Sequence, residues 1–301
     1  MKKAIPVYDI CNLSEFKQND ILISRFAPYL AIHQNLRLAH KHSFYHLLLF
    51  TEGAGSHAID FKNFTVRPWQ IYFMIPGQVH SWNFEGKVDG YVINFSVPFF
   101  QSFLLKPDYL EQFPFFNGAI EDAVVDLPEA VRPAVLGLFE QLVAEGENGQ
   151  RLGLDMVKAL MLQLFITIGR LSFEQQSGKV TSFNYTLLKN FQRLVEKNFT
   201  TLRLPKEYAE LLYITPNHLN ACCKEVLGIP AGEVIRNRIV LEAKRLLVNL
   251  QLSISEIAYT LNFEDNSYFT KFFKKQAGLT PEEFRKEALL ISGSMHKHLT
   301  N

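Results

Sequence analysis

Two periodicities divide the chain. Between residues 20 and 97, short runs rich in Phe, Val, Ile and Tyr (Ile21 to Phe26, His46 to Phe50, His57 to Phe61, Gln70 to Ile75, Tyr91 to Phe95) are separated by Glu52-Gly53-Ala54-Gly55, Pro76-Gly77 and Asp89-Gly90. Short β-forming runs bounded by turn formers predict strands, and several at this spacing predict a sandwich or small barrel. The period then lengthens: Val135, Leu138, Phe139 and Leu142 fall at i, i+3, i+4 and i+7, and Met156 to Leu171 is apolar over most of a helical circumference. Glu145 to Gly149 interrupts these stretches, which predicts a helical hairpin over residues 128–173. A helix apolar nearly all round needs cover on more than one side. The hairpin is therefore expected to lie partly on the strands and partly against a second copy, with burial inside one subunit as the alternative.

Residues 174–184, EQQSGKVTSFN, are polar and aperiodic and read as a linker. Everything after them reads as helix. Ser253-Ile-Ser-Glu256 and Thr280-Pro-Glu-Glu283 have the capping-box form, and Thr215-Pro216 sets an N-cap before a first-turn proline. Helix starts are expected near 206, 216, 254, 266 and 281, as two helix-turn-helix units whose second helices begin about 50 residues apart.

In the first unit, a helix with Ala209 and Leu212 leads through Tyr213-Ile214 to a helix over Pro216 to Val226. Leu219 and Cys223 face inward there, leaving Asn217, Asn220, Ala221 and Lys224 outward at i, i+3, i+4 and i+7, with His218 beside them. In the second, Leu261-Asn262-Phe263 turns, Asp265 caps, and the following helix buries Phe269, Phe272 and Phe273 while exposing Asn266, Ser267, Thr270, Lys271 and Lys274, followed by Lys275. Amides near a helix start can hydrogen-bond base edges while lysines a turn later hold phosphates. Between the units, Ala231 to Leu250 reads as a rigid helix about 30 Å long, near the ~34 Å between successive major grooves on one face of DNA.

The run Ile254 to Lys286, ISEIAYTLNFEDNSYFTKFFKKQAGLTPEEFRK, closely resembles the second helix-turn-helix and signature of the AraC/XylS family of bacterial transcription regulators. Leu204 to Gly228 resembles its first helix-turn-helix and Arg238 to Leu247 its connecting helix. Residues 20 to 97 resemble, more loosely, its cupin-type effector domain. The resemblance implies double-stranded DNA as partner, and base-reading roles for Asn217, Asn220, Ala221, Asn266, Ser267, Thr270 and Lys271. Ala221 stands where a long polar side chain is common, which implies fewer bases read by the first unit. Asn262 replaces the usual turn glycine. The resemblance also implies an activator that contacts RNA polymerase and pairs as a homodimer, with residues 1–20 as a mobile arm.

Charge fits this division. The net charge of +1 conceals 16 Lys+Arg against 12 Asp+Glu from residue 181 onward, and 15 against 18 before it. At 301 residues, with 48% hydrophobic and 20% charged, a two-domain globular chain is expected rather than a disordered or membrane one. Cys11, Cys222 and Cys223 cannot build a disulfide framework and suit a reducing cytosol. The start, MKKAIPVYDIC, is too short in apolar residues for a secretory signal, and Ala159 to Gly169 falls well below the ~20 residues needed to span a bilayer. The expected location is cytoplasmic.

Six of nine histidines lie between positions 33 and 80. His40-Lys-His42, then His46 and Gly53, has the spacing of the first cupin metal motif with His46 replacing its glutamate, and Pro76-Gly77-Gln-Val-His80 resembles the second. His40, His42, His46 and His80 are the set that would hold Zn²⁺, Ni²⁺ or Fe²⁺ if a metal binds. No cofactor is assigned, because effector domains of this family usually keep the barrel without the metal. In that case His42, His46, His80, Tyr45 and Trp82 offer donors, acceptors and a ring face to a small effector, a sugar or an aromatic acid. A faint likeness of the front half to activators of hydroxybenzoate catabolism favours the acid.

The expected architecture is α+β: a cupin-like barrel with a helical hairpin over residues 1–173, a linker over 174–184, and an all-α double helix-turn-helix domain over 185–301. The expected function is effector-controlled, sequence-specific DNA binding, with no catalytic residue. The alternatives are a metal-dependent cupin enzyme carrying a DNA-binding tail, and a regulator that needs no effector.

Overall fold

The computed structural model describes residues 5–10, 20–101, 109–176 and 182–288. Their contacts form two compact units, one within Pro6–Gln176 and one after Ser177. The expected arm lies largely outside the described residues.

The first unit is built on one sheet of eight strands: β1 (Val7–Tyr8), β2 (Ile21–Arg25), β3 (His40–His42), β4 (Tyr45–Ile59), β5 (Lys62–Val66), β6 (Gln70–Met74), β7 (Val79–Phe95) and β8 (Val124–Asp126). Their spatial order is β1-β3-β7-β4-β6-β8, with β2 also paired to β7 and β5 to β4. The order has two ends, so the expected barrel is corrected to a cupin-like sheet that does not close on itself. Phe26 does not end a strand; it opens the helix α1 (Phe26–Ile32).

Two of the three expected turns lie inside strands. Glu52 to Gly55 belongs to β4 and Asp89-Gly90 to β7, where the ladder slips between Phe50 and Glu52 and again between Glu52 and Ala54. Bulges of this kind bend a long strand and increase its twist. Glycine is required here by close approach of backbones: a Cβ on Gly90 (φ 153°) would stand 1.8 Å from the Leu49 carbonyl oxygen. The hairpin between β4 and β5 instead turns on Asp60 and Phe61, both at positive φ (47° and 70°), the backbone that a two-residue type I′ loop demands.

The central sheet is buried on both faces, which is why its strands read as continuous apolar runs. Along β4, Leu47 and Leu49 join one cluster with Phe73, Ile93 and Phe95, while Leu48 and Phe50 join the other with Tyr72, Trp82 and Val92. After a short helix α2 (Val97–Gln101), the hairpin α3 (Arg132–Asn148) and α4 (Gly153–Gln176) contributes Phe139, Leu142, Leu164 and Phe165 to the first cluster. Gly149, at a left-handed φ of 55°, ends α3. Most of the circumference of α4 is thus covered within this unit. Leu162 and Ile166 remain half-buried, and Leu154 and Met156 are exposed.

The second unit holds α5 (Ser182–Asn198), α6 (Pro205–Leu211), α7 (Pro216–Leu227), α8 (Ala231–Leu247), α9 (Ile254–Thr260), α10 (Asn266–Ala277) and α11 over residues 281–288. All five expected helix starts fall within one residue of these. Thr215 Oγ1 accepts from His218 N at 3.2 Å, Asp265 Oδ1 from Tyr268 N at 2.7 Å, and both capping boxes form. Residues 174–176 and 182–184 of the expected linker are helical, and 177–181 lie outside the described residues. The connecting helix stops at Leu247, so its 17 residues reach about 25 Å rather than 30 Å. No helix among the described residues is long and apolar enough to cross a membrane.

Gly90→Ala is expected to destabilise the first unit by about 3 kcal/mol or more, because backbone must move to admit the methyl. Gly86→Ala is expected to lose only about 1 kcal/mol, since its Cβ meets nothing within 4 Å and only the φ of 71° opposes it. Urea unfolding of the two variants measures the difference.

Candidate functional site

The two helix-turn-helix units repeat one backbone design. After α6 the chain turns through Leu212 and Tyr213 (φ 55°), with Ile214 N bonded to Ala209 O at 3.0 Å; after α9 it turns through Leu261 and Asn262 (φ 56°), with Phe263 N bonded to Ala258 O at 2.9 Å. Asparagine tolerates the left-handed region, whereas a tyrosine there is strained and persists because its surroundings fix it. Tyr213 is 96% exposed, so its ring makes little contact with the fold that holds its backbone.

On α7, Leu219, Cys222 and Cys223 are buried while Asn217, His218, Ala221 and Lys224 are exposed; on α10, Phe269 and Phe273 are buried while Asn266, Ser267, Lys271, Lys274 and Lys275 are exposed and Thr270 is half-buried. Asn220 departs from the expectation. It is half-buried, and its Oδ1 accepts from Ala231 N at 3.0 Å, so its carbonyl oxygen caps the connecting helix instead of facing a base. Burial also pushes the Cys223 thiol up to about 12, as befits an inert core cysteine.

Two further arginines tie elements of the second unit together. Arg203 Nη2 donates to Leu261 O at 2.5 Å and to Asn262 O at 2.8 Å, and its guanidinium lies 4.0 Å over the Phe263 ring. Arg238 pairs Glu196 through Nε and Nη2 at 2.5 and 2.7 Å and reaches Glu242 at 3.0 Å, tying α5 to α8. The Arg203 contacts and the Arg238–Glu196 pair had no local sequence signal, since those acceptors lie about 40 to 60 residues away, whereas Glu242 stands at i+4 from Arg238.

In the first unit, β3, β4 and β7 bring five histidines to one sheet face. His40 sits opposite His80 across β3 and β7, with ring centroids 4.1 Å apart; His42 is 4.7 Å from both. His46 Nδ1 donates to Asn94 Oδ1 at 2.6 Å in the Nδ1–H tautomer, and Asn94 Nδ2 donates to the Tyr29 hydroxyl at 3.3 Å. His57, absent from the sequence expectation, completes the group with Nε2 3.2 Å from His80 Nδ1. It reaches the cluster through the bulged half of β4, so no motif spacing marked it.

Tyr45 does not join this face. Being next to His46 on a strand, it points to the other side, stacked on Phe95 at 4.8 Å and edge-on to Phe116 at 5.2 Å. Trp82 does join, 5.1 Å from His80. Burial lowers the pKa of all five histidines: His40 to about 4 and His46 to about 3, with His42, His57 and His80 well below 6.5. All five are therefore neutral imidazoles at pH 7.

An AraC-like ligand binding domain matches residues 27–165, which include this face, and a helix-turn-helix domain matches residues 208–287, which include α7 and α10. The chain belongs to the AraC family of transcription regulators. It is 23% identical over 252 residues to the HTH-type transcriptional activator RhaR of Enterobacter sp. (strain 638), covering 84% of this chain and 88% of that one. It is 24% identical over 263 residues to the RhaR of Cronobacter sakazakii (strain ATCC BAA-894), with 86% and 90% covered. Among solved structures, unsaturated fatty acid bound ToxT from Vibrio cholerae matches 88% of this chain and 94% of its own at 14% identity, with a TM-score of 0.42. The AraC family consists of regulators and not enzymes, which removes the expectation of a catalytic cupin with a DNA-binding tail.

Two outcomes follow for this AraC-family chain. Asn220→Ala leaves the Ala231 N–H without its acceptor and is expected to lower the second unit's stability by about 1 kcal/mol, read from urea melts. For the metal-free first unit the sign of the pH dependence is set by folded pKa values below the unfolded 6.5: unfolding takes up protons, so stability falls as pH drops through 6.5 and continues to fall toward 4. His40 and His46 each remove about 2 kcal/mol between pH 7 and pH 5, and thermal melts across that range should show it.

Proposed function

We propose that this chain is a DNA-binding transcriptional activator whose action is controlled by a small-molecule effector bound to its first unit. The observation that carries the reading is the pair of helices α7 and α10. Each is anchored by buried residues on one side and offers an asparagine amide and lysine to solvent on the other, joined on α10 by the Ser267 and Thr270 hydroxyls, after matching turns. In this reading the two helices enter successive major grooves on one face of the duplex. Asn217, His218, Asn266, Ser267, Thr270 and Lys271 meet base edges, and Ala221 meets a thymine methyl. Lys224, Lys274 and Lys275 meet phosphates, while Asn220 contributes mainly by fixing α8. Activation, rather than repression, follows the relatives, which are named as activators.

The remaining partners belong to the same proposal. Activation proceeds through contact with RNA polymerase in the cytoplasm, and a homodimer pairs through the hairpin, using the exposed Leu154 and Met156 beside Leu162 and Ile166. A ligand controls such a protein only if it binds one arrangement of it more tightly than another.

Sequencing the DNA fragments retained by the purified chain identifies the operator, and failure to enrich any sequence overturns the reading. On that operator, Lys271→Ala is expected to lose about 1–3 kcal/mol of specific affinity with little change on random DNA. Lys274→Ala is expected to weaken both alike and to reduce the salt slope by about 0.9. Titrations at several salt concentrations separate the two.

A further inference from the structure

The histidine face is buried and yet poorly satisfied. His40 Nε2, His42 Nε2, His46 Nε2, His57 Nδ1 and His80 Nε2 have no hydrogen-bond partner among the described residues, and neither does Trp82 Nε1. An isolated buried polar atom is disfavoured, and five ring nitrogens gathered in one place call for a partner common to them.

The outer nitrogens show what that partner is. His40 Nδ1–H donates to the Leu38 carbonyl oxygen at 2.7 Å, so its Nε2 carries the lone pair. His46 is held in the same tautomer by Asn94. Between His57 and His80, the tautomer in which His80 Nδ1–H donates to His57 Nε2 leaves His80 Nε2 equally available. Fixing a ring by a hydrogen bond to one nitrogen while the other carries a lone pair is how metal-ligating histidines are oriented.

We propose that His40, His42 and His80 bind a divalent transition-metal ion, with His46 and His57 as positioning residues around it. One ring nitrogen from each of the three lies within 4.8 Å of the others. A tetrahedral ion with metal–nitrogen bonds of about 2.0–2.1 Å sets its ligand atoms about 3.3 Å apart, a contraction that small rotations of buried rings supply. The group contains neither carboxylate nor thiolate, so it selects imidazole-binding ions such as Zn²⁺ and Ni²⁺ over Mg²⁺ or Ca²⁺. Ring centroids 4.1 to 4.7 Å apart leave no gap for a sugar or an aromatic acid among these three, whereas an ion fits. Three neutral imidazoles leave the double charge uncompensated, which favours an anionic oxygen at the remaining position.

The assignment rests on the proposed function only in making the ion a ligand of the effector unit; ion binding itself is read without DNA. The full chain, stripped with a chelator, is titrated with Zn²⁺ by calorimetry and then measured by zinc X-ray absorption. The expected result is one ion per chain, three or four imidazoles around it, and a rise of about 5–10 °C in the Tm of the first unit at a hundredfold excess over Kd. Binding below about 0.2 ion per chain, or fewer than three imidazoles, overturns the proposal. His42→Gln and His80→Gln should weaken Zn²⁺ at least a hundredfold, and His33→Gln, outside the cluster, should not; equal affinities overturn it. If the cluster variants do not fold, absorption on the unaltered chain decides. Operator retention by the same preparations is scored separately: DNA binding without stoichiometric zinc sinks the metal site, and zinc on three imidazoles without DNA binding sinks gene control while supporting the metal site.

Discussion

Burial of the central sheet on both faces is the constraint from which the first unit follows. Because the central stretches of β4 and β7, His46 to Phe50 and Tyr91 to Phe95, have no wet side, each residue there is buried, and the alternation that normally separates core from solvent here separates one core from another. One side is filled by aromatic and aliphatic side chains from the hairpin. The other receives imidazoles among Phe26, Trp82 and Tyr72, in surroundings that strip them of charge and leave little water to satisfy them. The same dryness that stabilises the sheet makes those nitrogens reactive toward anything that can share a lone pair.

The second unit answers a different constraint. Short helices cannot bury much surface individually, so five of them share α5, α8 and one core that runs from Phe191 through Tyr208 and Ile235 to Phe273. Packing of that kind fixes the inward faces, and by doing so fixes which polar side chains point away. Specific caps then decide where each helix begins, which sets the register of the outward rows.

The legible parts of the chain were the local ones. Caps at Thr215, Ser253, Asp265 and Thr280 act over three residues, and their helices begin where those residues stand. The exposed row of α10 followed from the same arithmetic. What was not legible depends on partners far along the chain. Glycines at 55 and 90 looked like turn formers because sequence does not distinguish a turn from a place where two strands touch. Asn220 looked like a reader because its acceptor role involves a backbone eleven residues on. His57 carried no motif, and its neighbours exist only after β4 has bent. Tyr45 could have been excluded by parity alone, since adjacent strand residues face opposite ways.

Arg203 carries a consequence for the kind of DNA this protein accepts. Its guanidinium holds the carbonyls at the end of α9 from a position just before α6 and stacks on Phe263, a tie that braces the two helix-turn-helix units against each other. A stiff pair cannot adjust to a duplex whose pitch differs from its own. If both units bind DNA at once as proposed, the duplex must twist or bend to fit, and sequences that deform easily between the two contact patches would gain affinity at base pairs no side chain touches.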